Sequence, residues 1–158
     1  MSDSKYAGFW LRFVAYLIDS IVIGFVYSIL IVPALGIMGL SIASMENLDN
    51  MSESDGIAMA AGIIGTLGTV VLISGIISIL YFTIMEASKY QATLGKLALG
   101  IKVTDMEGKP LDFGKSLLRN LGKIVSQMIM MIGYIMAGLT AKKQALHDMI
   151  AGALVVRK

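Results

Sequence analysis

The sequence predicts a mostly α-helical integral membrane protein, with two transmembrane helices, a third span or re-entrant hairpin, and a small cytoplasmic β-hairpin plus a C-terminal strand. Composition is the first reason. Of 158 residues 56% are hydrophobic and only 15% charged, and the mean hydropathy of +0.78 lies far from that of an average soluble domain. The second reason is two long apolar runs. The third is charge placement, since basic residues crowd the chain after residue 88 while the loop before residue 57 is acidic.

The first apolar run, about residues 9–32, is roughly 24 residues long and so spans a hydrocarbon core with some tilt. Pro33 is expected to end it. The start Met-Ser-Asp-Ser-Lys is not a basic leader and Asp19 interrupts the apolar stretch, so the segment reads as a retained helix rather than a signal peptide. Residues 41–56 form a polar loop with Glu46, Asp49, Glu53 and Asp55 and no lysine or arginine, which places it away from the cytoplasm. A second span covers about 57–86. Its Gly62, Gly65, Gly68 and Gly75, among Thr66, Thr69, Ser74 and Ser78, would let another helix approach closely.

Residues 89–120 carry Lys89, Lys96, Lys102, Lys109, Lys115 and Arg119, with Lys123 just beyond. By the positive-inside rule this segment and the N-terminus are cytoplasmic. Within it Ile101-Lys102-Val103-Thr104 alternates, Asp105-Met106-Glu107-Gly108 offers turn chemistry, and Lys109-Pro110-Leu111 resumes an extended path, which predicts a β-hairpin. The third apolar stretch, 121–140, has Gly133 near its middle and is followed by Lys142 and Lys143. A simple crossing would put those lysines, and Arg157 with Lys158, outside, so a re-entrant segment with both ends cytoplasmic is favoured. The tail, 141–158, ends in Ala153-Leu154-Val155-Val156, a strand that can pair near Ile101–Thr104 and close an open edge. The whole chain reads as one membrane domain.

Arg12 and Asp19 are the first candidates for a functional site. They share a helical face but lie about 10 Å apart along the axis, too far for a relaxed pair. A carboxylate inside a membrane helix costs about 2.5 to 3.5 kcal/mol on insertion scales, so Asp19 needs a partner. Lys123 and the hydroxyls of Tyr16, Tyr27, Ser74 and Ser78 are candidates, and both a structural carboxyl and an ion- or proton-binding one stay open. Arg12 either snorkels to headgroups or meets Asp148 across the cytoplasmic boundary. His147, the only histidine, reads as interfacial packing. One histidine beside one aspartate makes no metal site.

Other chemistry finds little support. There is no cysteine. Gly95-Lys96 lacks the upstream glycine and following hydroxyl of a phosphate loop, and the methionines of Met128-Ile129-Met130-Met131 read as apolar packing. No hydrolase triad emerges, so an enzyme, a cofactor, a metal and a nucleic-acid partner are not expected.

The run Gly8-Phe9-Trp10-Leu11-Arg12-Phe13-Val14-Ala15-Tyr16-Leu17-Ile18-Asp19, the block from Thr93-Leu94-Gly95-Lys96 to Gly100-Ile101-Lys102-Val103, Arg119, and the ending Ala145-Leu146-His147-Asp148 with Ala151-Gly152 and Val155-Val156 together resemble the RDD family of small prokaryotic membrane proteins. The resemblance implies that Arg12 and Asp19 carry the first two signature letters. Asp148 is favoured for the third over Asp105, which has a local turn reason to be aspartate. A transport role has been suggested for the family. The expectation is therefore a protein of the cytoplasmic membrane that helps move a cation, proton or small solute, as a homo-oligomer or with a membrane-protein partner. A non-catalytic regulator or adaptor is the alternative.

Overall fold

A computed structural model describes residues 5–43, 52–128 and 132–158. Glu46 and Asp49 of the acidic loop, and Ile129, Met130 and Met131, lie outside the described residues. The chain groups into two compact units, Val22–Ile77 on the one hand and Met1–Ile21 with Ser78–Lys158 on the other.

Two helices are long and apolar enough to cross a membrane: α1 (Phe9–Ala43) and α2 (Glu53–Ala87). Each has 35 residues, about 52 Å of helix against a hydrocarbon core of about 30 Å. Their large apolar side chains, among them Ile21, Phe25, Val71 and Leu72, are exposed as lipid-facing residues must be. The first span does not stop at Pro33, which lies inside α1. Proline removes one backbone donor, whereas ending the helix in an apolar medium would strand several backbone groups. Likewise α2 begins before residue 57, because Ser52 and Asp55 cap it reciprocally. The Asp55 backbone N–H donates to Ser52 Oγ at 3.2 Å, and the Ser52 N–H donates to the Asp55 carboxylate at 3.3 Å.

The remaining elements belong to the second unit. They are α3 (Leu94–Ala98), β1 (Ile101–Asp105), α4 (Phe113–Met128), α5 (Ile132–Leu139), α6 (Leu146–Ile150) and β2 (Ala153–Arg157). β1 and β2 pair antiparallel, with Ile101 opposite Arg157 and Asp105 opposite Ala153. The C-terminal strand thus meets the Ile101–Thr104 segment. The predicted hairpin needs correction, because no second strand follows its turn. The Asp105 N–H donates to the Lys109 carbonyl at 2.9 Å, but Pro110 has no donor with which to continue the ladder. The sheet's outer edges are covered instead. Val103 N–H donates to the Gln91 carbonyl at 2.7 Å, and on the other side Ala7 N–H donates to Val155 at 2.8 Å. Ile101, Val103, Leu111 and Val155 form the core with Ala7, Ala15, Ala151 and Ala153.

The third apolar stretch is not one long helix. α4 is amphipathic, and α5 has eight residues, about 12 Å of helix and far short of a crossing. α4 and α5 do not run on as one helix. A Cβ placed on Gly133 would lie 2.7 Å from Ser126 Oγ and 3.1 Å from its Cα, whereas seven residues along one helix are about 10 Å apart. Only glycine allows that approach.

The second unit also holds a repeat that no composition count reveals. α3, Gly100 and β1 are matched by α6, Gly152 and β2, each element following its counterpart by 52 residues. Gly100 and Gly152 both have positive φ, 63° and 61°, and so do the turn residues Gln91 and Lys143, 55° and 50°. Val103 and Val155, 52 apart, face each other in the sheet, so a local two-fold axis passes between them. The helices follow suit. Ala15 backs onto Gly95, whose added Cβ would collide with the Ala15 carbonyl, and Gly122 backs onto His147 at 3.2 Å. Gly122 follows Ala15 by 107 residues, and Arg119 follows Arg12 by the same interval.

The close approach makes a prediction. Gly133→Ala, a change that raises helix propensity, is nevertheless expected to lower the melting temperature in detergent, because its Cβ meets Ser126. An unchanged or raised melting temperature would mean that α4 and α5 do not touch there.

Candidate functional site

Asp148 has no solvent exposure and accepts from both repeat-related arginines. Arg12 Nη1 donates to Oδ2, Arg119 Nε donates to Oδ1 at 2.8 Å, and the Ala145 backbone N–H adds a third bond to Oδ2 at 3.0 Å. The last contact comes from the first turn of α6, where a carboxylate three residues into the helix reaches back to the preceding N–H. Arg12 is itself fixed, donating through Nε to the Ala7 carbonyl at 2.8 Å and through Nη2 to Lys143 at 2.5 Å. One carboxylate therefore ties the start of α1, the middle of α4 and the C-terminal helix together.

The network continues to a residue that sequence reasoning passed over. Glu86, fully buried near the end of α2, accepts from Arg119 Nη1 at 2.6 Å and from Asn120 Nδ2 at 3.3 Å. It also takes the Lys96 ammonium, with the Lys123 ammonium at 3.7 Å. Lys123 lies in turn over the Phe82 ring, 4.2 Å from its centroid. The cluster thus sets Arg12, Lys96, Arg119 and Lys123 against Glu86 and Asp148, a formal excess of two positive charges among these described residues. Arginine keeps its proton at any accessible pH.

Asp19 stands in a separate set. It is 1% exposed and accepts from Thr93 Oγ1 at 2.6 Å, the Gly95 backbone N–H at 2.8 Å and Tyr81 Oη at 3.0 Å. All three donors are neutral. The close seat of Gly95 on Ala15 delivers that N–H, so α3 and α1 meet through a carboxylate cap. Of the candidate partners named from sequence, Tyr16 is exposed and Lys123 joins Glu86. Ser74 lies in the other unit, its carbonyl accepting from Tyr27 Oη at 2.6 Å. Ser78 is half-buried on α2.

His147 packs beside Tyr134, ring centroids 5.0 Å apart, and its Nδ1 is 3.2 Å from Ser126 Oγ. A serine, a histidine and an aspartate thus become neighbours, which the sequence did not suggest. Their geometry is that of packing. Ser126 is fully buried and donates to the Gly122 carbonyl at 3.1 Å, and His147 Nε2 is 3.6 Å from an Asp148 oxygen already held by Arg119.

Burial would raise the Asp148 carboxyl, but the Arg119 and Arg12 guanidiniums outweigh it and hold the group well below the usual carboxylate range. Burial pushes the His147 imidazole down to about 3, aided by the neighbouring cations Arg119, Lys123 and Arg12 against the pull of Asp148. Burial likewise lowers the Lys96 ammonium, with Glu86 opposing.

Glu86 had a legible signal that went unused. It is a lone acid at the end of a long apolar run, the same argument that singled out Asp19. Thr93 and Tyr81 had none, because nothing in the sequence says which hydroxyl a buried carboxylate will find.

These shifts fix a pH dependence. The His147 and Asp148 values are depressed in the folded state, so the stability these two groups carry is complete above about pH 6.5, where unfolded His147 is neutral too. It falls as pH drops from about 6.5 toward 3, as unfolded His147 takes up a proton that the folded chain refuses, and Asp148 adds its share below about pH 4. The detergent-solubilised protein is expected to lose more melting temperature between pH 7 and 4.5 than His147→Gln does. Equal slopes would contradict the burial of a neutral imidazole.

Comparison with known proteins identifies the family. The chain is 37% identical over 156 residues to Uncharacterized protein YxaI of Bacillus subtilis (strain 168), covering 98% of this chain and 99% of that one. It is 28% identical over 155 residues to Uncharacterized membrane protein YteJ of the same organism, covering 97% and 82%. No solved structure matches significantly. Residues 6–152, which run from the edge strand contact of Tyr6 through Arg12, Asp19, Glu86 and Arg119 to Asp148, match the RDD family profile, and the chain belongs to the RDD family of membrane proteins.

Proposed function

We propose that this RDD protein takes part in moving a cation or proton across the cytoplasmic membrane, with its N-terminus and basic segment on the cytoplasmic side. The observation that carries the reading is Glu86, a buried carboxylate at the end of a membrane helix with two lysine ammoniums beside it. Ionisable groups at such depth mark ion and proton pathways. Asp19 adds a second buried carboxyl, held by three neutral donors. Two spans are few for a pathway, which favours a homo-oligomer.

A second reading has an observation of its own. At Gly62, Gly65, Gly68 and Gly75 an added Cβ meets nothing within 4 Å, so this face of α2 is free to take a helix of another membrane protein. On that reading the protein is a regulator or adaptor and the charges hold its fold.

One experiment separates them. Purified protein in liposomes with an internal pH dye is expected to show proton movement, with or without a cation gradient, that falls at least tenfold in Glu86→Gln and Asp19→Asn. Flux unchanged by both substitutions overturns the transport reading. A silent protein that loses a crosslinked membrane partner on Gly65→Leu establishes the adaptor.

A further inference from the structure

The surface of α4 is inside out for a helix in water. From Ser116 onward its buried residues are Ser116, Arg119, Asn120, Gly122 and Ser126, while the exposed ones are Leu118, Leu121, Ile124, Val125 and Met128. A surface helix of a soluble protein turns its apolar stripe inward. Here the charge network takes the polar side, with Arg119 on Asp148 and Glu86 and Asn120 on Glu86, so the apolar side is left facing outward. Leu118, Leu121, Val125 and Met128 recur at three- and four-residue spacing and make one continuous stripe.

The contacts of α4 set its level. Arg119 shares Asp148 with Arg12, which closely follows Trp10 on α1. Trp10 is 73% exposed at the start of a candidate span, the level at which tryptophan concentrates at a membrane boundary. On the other helix Ser116 donates to the Thr83 carbonyl at 3.0 Å and the Lys123 ammonium lies over the Phe82 ring. Leu80 and Ile84, exposed on the same turns of α2, belong to the apolar surface that this span presents to lipid. The stripe of α4 thus continues a surface that already meets hydrocarbon. With 16 residues, α4 is about 24 Å long against a core of about 30 Å, too short to cross.

We propose that α4 is embedded in one leaflet of the bilayer, with Leu118, Leu121, Val125 and Met128 on lipid acyl chains and its polar side turned to Glu86 and Asp148. The occupant of the stripe is hydrocarbon because the neighbouring turns of α2 present Leu80 and Ile84 to the same medium. A hydropathy count misses such a helix, since its polar half offsets its apolar half. The bilayer then forms one wall of the charge network and keeps bulk water from Arg119, which is 2% exposed. This holds whether the protein moves an ion or binds a partner.

The chain has no cysteine, so single-cysteine variants are clean probes. Leu118→Cys, Leu121→Cys and Val125→Cys, all at exposed positions, each take an environment-sensitive fluorophore, as do the references Ile84→Cys on α2 and Lys109→Cys in the turn after β1. The labelled proteins are placed in phosphatidylcholine liposomes at low protein density. Labels on α4 are expected to emit at the blue-shifted wavelength of the Ile84 label. A phosphatidylcholine with a nitroxide near the carbonyl end of its acyl chain should quench them on the order of threefold more strongly than the Lys109 label, since an apolar helix face sinks about 5 to 10 Å below the boundary. Aqueous iodide should quench the Lys109 label and spare them. Emission and iodide quenching equal to those of the Lys109 label overturn the proposal, and would place the stripe in water. Protection from both quenchers also overturns it, and would assign the stripe to a second copy of the chain or to another protein.

Discussion

A carboxylate without access to water must find its counter-charge inside the protein, and Asp148 finds two. Burying an ion costs several kcal/mol unless paired and fully hydrogen-bonded, and here Arg12, Arg119 and the Ala145 N–H meet that condition together. Because the two arginines come from α1 and α4 and the carboxylate from α6, satisfying one charge brings three distant parts of the chain to one point. The sheet then follows. With α6 held, β2 emerges beside β1 and between it and the N-terminal segment, so the hydrophobic core around Val103 and Val155 closes over backbone edges that are already paired.

The repeat explains why this solution uses two arginines. Arg12 and Arg119 occupy equivalent places on equivalent helices, and they converge because the local axis brings both copies of the repeat to the same centre. The carboxyl side is not symmetric. Lys96 occupies the position equivalent to Asp148, so one copy of the repeat carries a cation where the other carries an anion, and Glu86 meets that cation. Symmetry thus sets where the charges lie, and its breaking gives the two carboxylates different partners. Asp148 is committed to arginines and structure, whereas Glu86 sits between lysines.

Much of the fold was legible because a bilayer leaves few choices. Two apolar runs must be helices, since only a helix satisfies its own backbone in lipid, and α1 and α2 are those helices. The meeting of Arg12 with Asp148 could be read as well, from the need of each charge for an opposite one at the same boundary. What stayed hidden has physical causes. The continuation of α1 past Pro33 depends on the medium, not on the residue. The hydroxyl and backbone donors around Asp19 depend on how Gly95 nests against Ala15, which is a tertiary contact with no local pattern. The repeat was masked because its two copies keep shape, through Gly100 and Gly152 and the turns at Gln91 and Lys143, while sharing few side chains.

The central claim is that one buried carboxylate and its arginines hold the assembly together as a unit. Its most direct test is a double-mutant cycle on unfolding in detergent with Arg12→Ala, Asp148→Ala and the pair. Each single change is expected to cost about 3 kcal/mol or more, since it strands a buried charge. The double variant should cost less than their sum by about 1 to 3 kcal/mol. Additive losses would show that the two residues do not share an interaction, and would contradict the account.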